Sequence, residues 1–316
     1  MQDNTHALHR RPLYPLLLIG TVLVAMLSLW NAISLGSLSF GILMVAVLLT
    51  GIPHGAVDHL VAAELYELDA SWGDQLTFYG FYLALMAAYG VLWLLAPQLS
   101  LALFLLMTMY HFGQADLAYL ALGPPMDIAA YLSRGLVLIG LPVVAFPGVV
   151  APIFEAISGF NMLGWTVLLD YQGLLLTLIV VQHLAVLALA LPVTPLKDAG
   201  REALNLAVLT LLFVVVHPLV AFAVYFGAWH SLGHILELIR FFNRRGSRTS
   251  LSGFYRNAAL FTFISFAGLG VLYFVTQSFG ARNEMLALLF ILISVMTLPH
   301  MIIVERLYQT KRARPA

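Results

Sequence analysis

Apolar runs long enough to cross a bilayer recur along the chain, separated by short polar punctuation. Read in order, they predict helical spans at 13–34, 38–63, 76–96, 99–121, 128–148, 164–191, 202–217, 219–240, 257–276 and 285–306. The seventh is short and ends at His217-Pro218, so a re-entrant or fused segment there would lower the count from about ten to eight or nine. The stretch 147–163, with Pro147, Pro152, Glu155 and Gly159, reads as an ordered loop at one membrane face. No internal repeat and no soluble domain stand out. The pattern therefore predicts an all-α, polytopic transmembrane bundle, with residues 1–316 forming one domain and short tails at 1–12 and 308–316.

Composition sharpens this reading. Hydrophobic residues make up 61% of the 316 positions and charged residues only 9%, against about 25% charged in a soluble domain. The zero net charge argues against a nucleic-acid partner. The lack of cysteine excludes disulfides, thiolate nucleophiles and Cys-ligated zinc or iron–sulfur clusters. The N-terminus, MQDNTHALHRRPLYP, is polar and basic with no clear small-residue cleavage site after the first apolar run. It reads as leading into a retained span rather than as a removed signal. Arg10 and Arg11 precede span one, Arg240, Arg244, Arg245, Arg248 and Arg256 crowd one loop, and Lys311, Arg312 and Arg314 close the chain. Ten spans put all three clusters on one side, which by the positive-inside rule is the cytoplasm, so both ends face inward. The acidic 64–75 loop (Glu64, Glu67, Asp69, Asp74) falls on that side too, where carboxylates carry little weight.

Ionisable groups within a span cost roughly 2.5–3.5 kcal/mol on insertion scales, and those that persist usually face the bundle interior and mark a site. Eight of the ten histidines lie in or at the ends of spans: His54, His59, His111, His183, His217, His230, His234 and His300. In WHSLGH (229–234), His230 and His234 are four apart and share a helical face on which they could hold a metal. Glu237, one turn on, could orient an imidazole from behind. The residue after His230 is Ser231, so the general-base Glu of a HExxH zinc protease is missing. In GIPHGAVDHL (51–60), His54 and Asp58 are likewise four apart, which fits a ligand and the carboxylate that receives its second N–H, or two groups in a polar network; His59 follows directly. YHFGQAD (110–116) pairs His111 with Asp116, and TLPH (297–300) sets His300 behind a proline.

At ~1.5 Å per helical residue, His54, His111, His230, His234 and His300 fall within one slab roughly 6 Å thick in the inner half of the bilayer. Separate helix–helix hydrogen bonds would not require a shared depth. His183 and His217 have no carboxylate companion and read as structural. Four neutral imidazoles without thiolate suit Fe, Zn, Cu or Ni. A site reached from lipid points to a hydrophobic substrate, and Phe78, Tyr79, Phe81, Tyr82, Phe222, Tyr225, Phe226 and Trp229 are candidates to line its path. Tyr225, Phe226 and Trp229, just before the His pair, are the leading ones.

At PHGAVDH (53–59), YHFGQAD (110–116), WHSLGH (229–234) and TLPH (297–300) the chain resembles the Brp/Blh family, integral-membrane β-carotene 15,15′-dioxygenases of bacteria and archaea. The motifs span nearly the whole chain in the family's order. The resemblance implies a mononuclear Fe(II) held by His54, His111, His230 and His234, with O2 as co-substrate. It implies cleavage of the central double bond of β-carotene into two retinals, with the chemistry at iron and no protein acid or base. His300 then belongs behind the ligands or in the substrate pocket; on the residues themselves, Asp58, His59, Asp116 and Glu237 are candidates to support the ligands from behind. The resemblance further implies a catalytic domain in the bacterial or archaeal inner membrane, β-carotene entering from the bilayer, and retinal passing to a rhodopsin.

Other classes remain open on the residues alone. A membrane di-iron hydroxylase or desaturase would also use many histidines, but generally gathers several closely spaced clusters where this chain has one His-x-x-x-His pair. A metal or proton transporter could use the His/Asp pairs as relays. Bis-His haem ligation is a further possibility. An opsin is disfavoured, because Lys197 and Lys311 lie outside the spans.

Overall fold

Prolines and small polar caps mark where helices start. Four helices open on a proline (Pro97, Pro124, Pro147 and Pro218), the position where a missing N–H leaves no intrahelical bond unmade. Another begins after Ser71, whose hydroxyl accepts the Asp74 backbone N–H at 3.2 Å. The structure, a computed structural model, describes residues 13–30, 35–69, 71–164, 166–278 and 285–313. Among these residues there are helices and turns and no strand.

The helices are α1 (Leu13–Leu29), α2 (Leu35–Ala46), α3 (Ile52–Gly55), α4 (Asp58–Tyr66), α5 (Trp72–Leu95), α6 (Pro97–Leu117), α7 (Pro124–Ala145) and α8 (Pro147–Ser158). They continue as α9 (Thr166–Asp170), α10 (Gln172–Ala190), α11 (Leu196–Val215), α12 (Pro218–Ala223), α13 (Leu232–Arg244), α14 (Leu251–Ser278) and α15 (Met285–Ala313). Two π-helical segments interrupt the regular winding: Val47–Gly51 between α2 and α3, and Val224–Ser231 between α12 and α13.

Seven helical runs are long and apolar enough to cross a membrane: Leu38–Tyr66, Trp72–Leu95, Pro124–Ala145, Gln172–Val193, Pro218–Arg244, Leu251–Ser278 and Met285–Thr310. The other expected spans are helical but fall short of that standard for visible reasons. α1 has 17 residues. α6 carries Gln98, His111, Gln114 and Asp116, and α11 begins six residues before the expected span, adding Lys197, Asp198 and Arg201 to Glu202. The loop expected at 147–163 is instead largely helix α8. Pro147 opens that helix without cost, Pro152 removes a single i→i−4 bond, and burial of Val150, Ala151 and Ile157 outweighs that loss.

By contact the chain forms two compact units that alternate along the sequence. One comprises residues 1–47, 108–152 and 161–233. In it α7 packs on α10 and α11, α1 on α11, and α2 on α12. α6 and α7 approach at glycine: a Cβ on Gly113 would run into the backbone of Tyr131, and one on Gly135 into the backbone of Met109. Small residues permit backbone-to-backbone packing where no hydrophobic force distinguishes a helix from lipid.

The other unit comprises residues 48–107, 153–160 and 234–316. Here α15 packs on α4, α5 and α14, and α14 packs on α3. Its core includes Val57, Val61, Ile235, Leu238, Phe254 and Ile303. A second cluster joins Tyr89, Trp93, Phe104, Ile157 and Ala287, with Trp93 Nε1 donating to Ser294 Oγ at 2.7 Å.

Gly113→Val or Gly135→Val should therefore destabilise the protein by about 2 kcal/mol or more, the scale of core overpacking. Gly90→Ala, which meets nothing within 4 Å, should be close to neutral. Thermal unfolding midpoints of the three variants in detergent check this.

Candidate metal centre

Each unit brings histidines together at a place where helix winding is irregular. In the first unit, His111 near the end of α6 and His230 in the π-helical segment are buried, with ring centroids 4.9 Å apart. Their ligand-capable nitrogens lie within 4.8 Å of one another, a spacing that could hold a metal ion. Phe112 and Phe226 wall the pair: Phe226 stacks on His230 at 5.9 Å with planes 12° apart, and Phe112 lies 4.6 Å from the same ring. π-helical turns concentrate at functional sites, because the extra residue per turn re-aims side chains at the expense of regular bonding.

The scaffold behind this pair is polar and buried. Asp116, expected to support His111, instead accepts from Arg134 Nε at 2.9 Å and from Tyr225 Oη at 3.2 Å. Arg134 is fully buried. Its ion pair spans α6 and α7 beside the two glycines, and Tyr225 ties the π-helical segment to the same carboxylate. Arg134, not among the residues singled out from the sequence, carries its own signal there: an arginine inside the apolar run 128–148. Further from the histidines, Glu202 accepts from Tyr119 at 2.7 Å and from Asn205 at 3.2 Å, while Tyr14 donates to Asn205 Oδ1 at 2.6 Å.

In the second unit, His54, His234 and His300 are buried and mutually edge-on. Ring centroids are 5.0 Å apart for His54 and His300, 5.6 Å for His54 and His234, and 5.6 Å for His234 and His300. His54 sits in the short helix α3 just after a π-helical segment.

The helix does not run straight from His54 to Asp58. It breaks at Ala56 and Val57, and Asp58 opens α4. The carboxylate expected to serve His54 therefore receives His300 Nδ1–H at 2.9 Å, and Tyr82 Oη donates to it at 3.0 Å. His300 is thus held by a residue 242 positions away in sequence.

The remaining candidates are placed as follows. His59 is half-buried and packs against Phe261 (4.8 Å) and Tyr79 (6.4 Å). Glu237 is half-buried in α13, one turn beyond His234. Tyr225 and Trp229 are buried with their polar atoms engaged, Trp229 Nε1 by Thr21 Oγ1 at 3.0 Å, whereas Phe226 offers only its face. His183, read as structural, is buried and bonded to Ser133 Oγ at 2.7 Å.

Comparison with known proteins agrees with the constellation. The chain is similar to a protein of Halobacterium salinarum named probable beta-carotene 15,15′-dioxygenase Blh, at 29% identity over 92% of this chain and 91% of that one. It is also similar to the beta-carotene 15,15′-dioxygenase of uncultured marine bacterium 66A03, at 26% identity over 85% of this chain and 94% of the relative. No solved structure matches. The sequence profile described as beta-carotene 15,15′-dioxygenase matches residues 45–308, which take in all five buried histidines of the two clusters, and the chain belongs to that family.

Proposed function

We propose that this protein is a membrane dioxygenase that splits the central 15,15′ double bond of β-carotene with O2, giving two molecules of retinal. The observation that carries the reading is a set of buried imidazoles within helices apolar enough to lie in lipid, in a chain of this family. Four of them, His54, His111, His230 and His234, are assigned to one Fe(II). His230 and His234 lie on one helical run, Pro218–Arg244, which supports their acting together. Neutral nitrogen donors suit Fe(II), and the same donors would accept Zn, Cu or Ni.

When bound, Fe(II) supplies the oxygen activation and bond cleavage. The protein's own contribution is positional. Phe112 and Phe226 cover the His230 ring and keep water from it. Buried imidazoles held by packing against one another and against aromatic rings hold their orientation before any ligand arrives. A C40 polyene is about as long as the ~30 Å hydrocarbon layer, so β-carotene would enter from the bilayer, and regiospecificity would follow from where the chain halts against the site. Tyr225, Phe226 and Trp229 are the residues assigned to that path. Asp58 and Asp116 are assigned to holding the site through His300 and through Arg134 and Tyr225, with His59 and Glu237 as further supporting groups.

The reading extends to a single catalytic domain of about ten spans, with both ends in the cytoplasm of the inner membrane and retinal handed on to a rhodopsin. A reporter sensitive to compartment, fused in turn to each end, should report the cytoplasm both times; opposite sides would require an odd number of spans.

Expression in a β-carotene-producing bacterial strain should bleach the cells and yield retinal in extracts; unchanged carotene in well-expressed cells counts against the assignment. Purified protein should hold one iron per chain, whereas two would indicate a di-iron enzyme. His54→Ala, His111→Ala, His230→Ala and His234→Ala should each lose both metal and retinal formation, and retained iron with normal turnover would remove that residue from the ligand set.

A further inference from the structure

The second unit contains a hydrogen-bonded chain, Tyr82–Asp58–His300, that ends against two of the histidines assigned to iron. Asp58 is buried at the start of α4, Tyr82 reaches it from α5, and His300 reaches it from α15. His300 is buried. Its ring lies over the α3 backbone, where a Cβ on Gly55 would come within 3.5 Å of Nδ1. It stands edge-on to His54 with planes 87° apart and to His234 with planes 80° apart. Pro299, immediately before it, removes one backbone bond from α15.

We infer that Tyr82, Asp58 and His300 act as one positioning device, which fixes the rings of His54 and His234 for metal binding without His300 being a ligand itself. The inference rests on the ligand assignment above. The physical reason is geometric. Asp58 accepts from His300 Nδ1, so it fixes the plane of that imidazole; the edge-on contacts then limit rotation of both neighbouring rings about χ2. An imidazole free to rotate loses the entropy of that rotation when it ligates, and a pre-set one does not. The two carboxylate oxygens are used at once: Oδ2 takes the Tyr82 hydroxyl, and both lie within 3.0 Å of His300 Nδ1. Supporting groups of this kind typically change metal affinity by about 10–100-fold.

The test measures Co(II) affinity of the purified full-length protein in detergent by competition with a chromophoric chelator. Apo-protein thermal midpoints are recorded in parallel. Wild type should bind one Co(II), and failure to bind at all would overturn the ligand assignment rather than this inference. Asp58→Leu and His300→Leu should weaken Co(II) binding by about 10–100-fold. Asp58→Asn, whose amide oxygen still accepts from Nδ1–H, should stay within about threefold of wild type, and Tyr82→Phe should fall between. Wild-type affinity in Asp58→Leu, or losses that merely track the apo-protein midpoint across all four variants, would overturn the positioning role. Cu(II)-loaded protein gives a second readout: a nitrogen hyperfine pattern unchanged in His300→Leu supports positioning, and the loss of one nitrogen would make His300 a ligand and overturn it.

Discussion

Matching buried polar groups to one another inside apolar helices is the constraint on which the rest of this structure depends. Asp116 with Arg134 and Tyr225, and Asp58 with His300 and Tyr82, are two places where such matching joins separate helices. Each carboxylate receives two donors from other helices, so each joins three elements that apolar contacts alone would leave free to slide or rotate. Removing one partner from a buried ion pair costs about 3–5 kcal/mol, far more than a typical apolar contact contributes. Next to each carboxylate stand histidines that have to keep one orientation.

The backbone departs from regular winding where these groups sit. His230 lies in a π-helical segment, and His54 follows another by three residues. An α-helix with apolar neighbours all round gains nothing from the wider turn, so its presence twice, each time beside a buried histidine, marks a place where side-chain direction matters more than backbone regularity. Tyr255 makes this tolerable at one of them by donating to the carbonyl of Leu49 at 2.9 Å. The glycines at 113 and 135 serve the same end, since only without Cβ atoms can α6 and α7 come close enough for Asp116 to reach Arg134.

The profile match rests on residue identities along 45–308, while burial and ring contacts come from packing. The side chains around the imidazoles are aromatic and aliphatic, which suits an apolar substrate, and the supporting carboxylates are engaged by tyrosine, arginine and histidine.

By itself the sequence determined the helical class, the approximate position of every long helix and the short list of histidines, because apolar length and misplaced ionisable residues are local signals. His54, His111, His230, His234 and His300 stand out in the sequence for that reason, and all five are buried. What served them does not stand out there. Spacing suggested that Asp58 would hold His54 and Asp116 would hold His111, but the break at Ala56 and Val57 turns Asp58 to His300, and the close approach of α6 and α7 gives Asp116 to Arg134. The helix at 147–158 likewise owes its existence to burial that its prolines conceal. Hydrogen-bond partners in an apolar surround are chosen across space by whichever donor the packing brings within about 3 Å, and no regularity of 3.6 residues along one helix can report a partner that arrives from another.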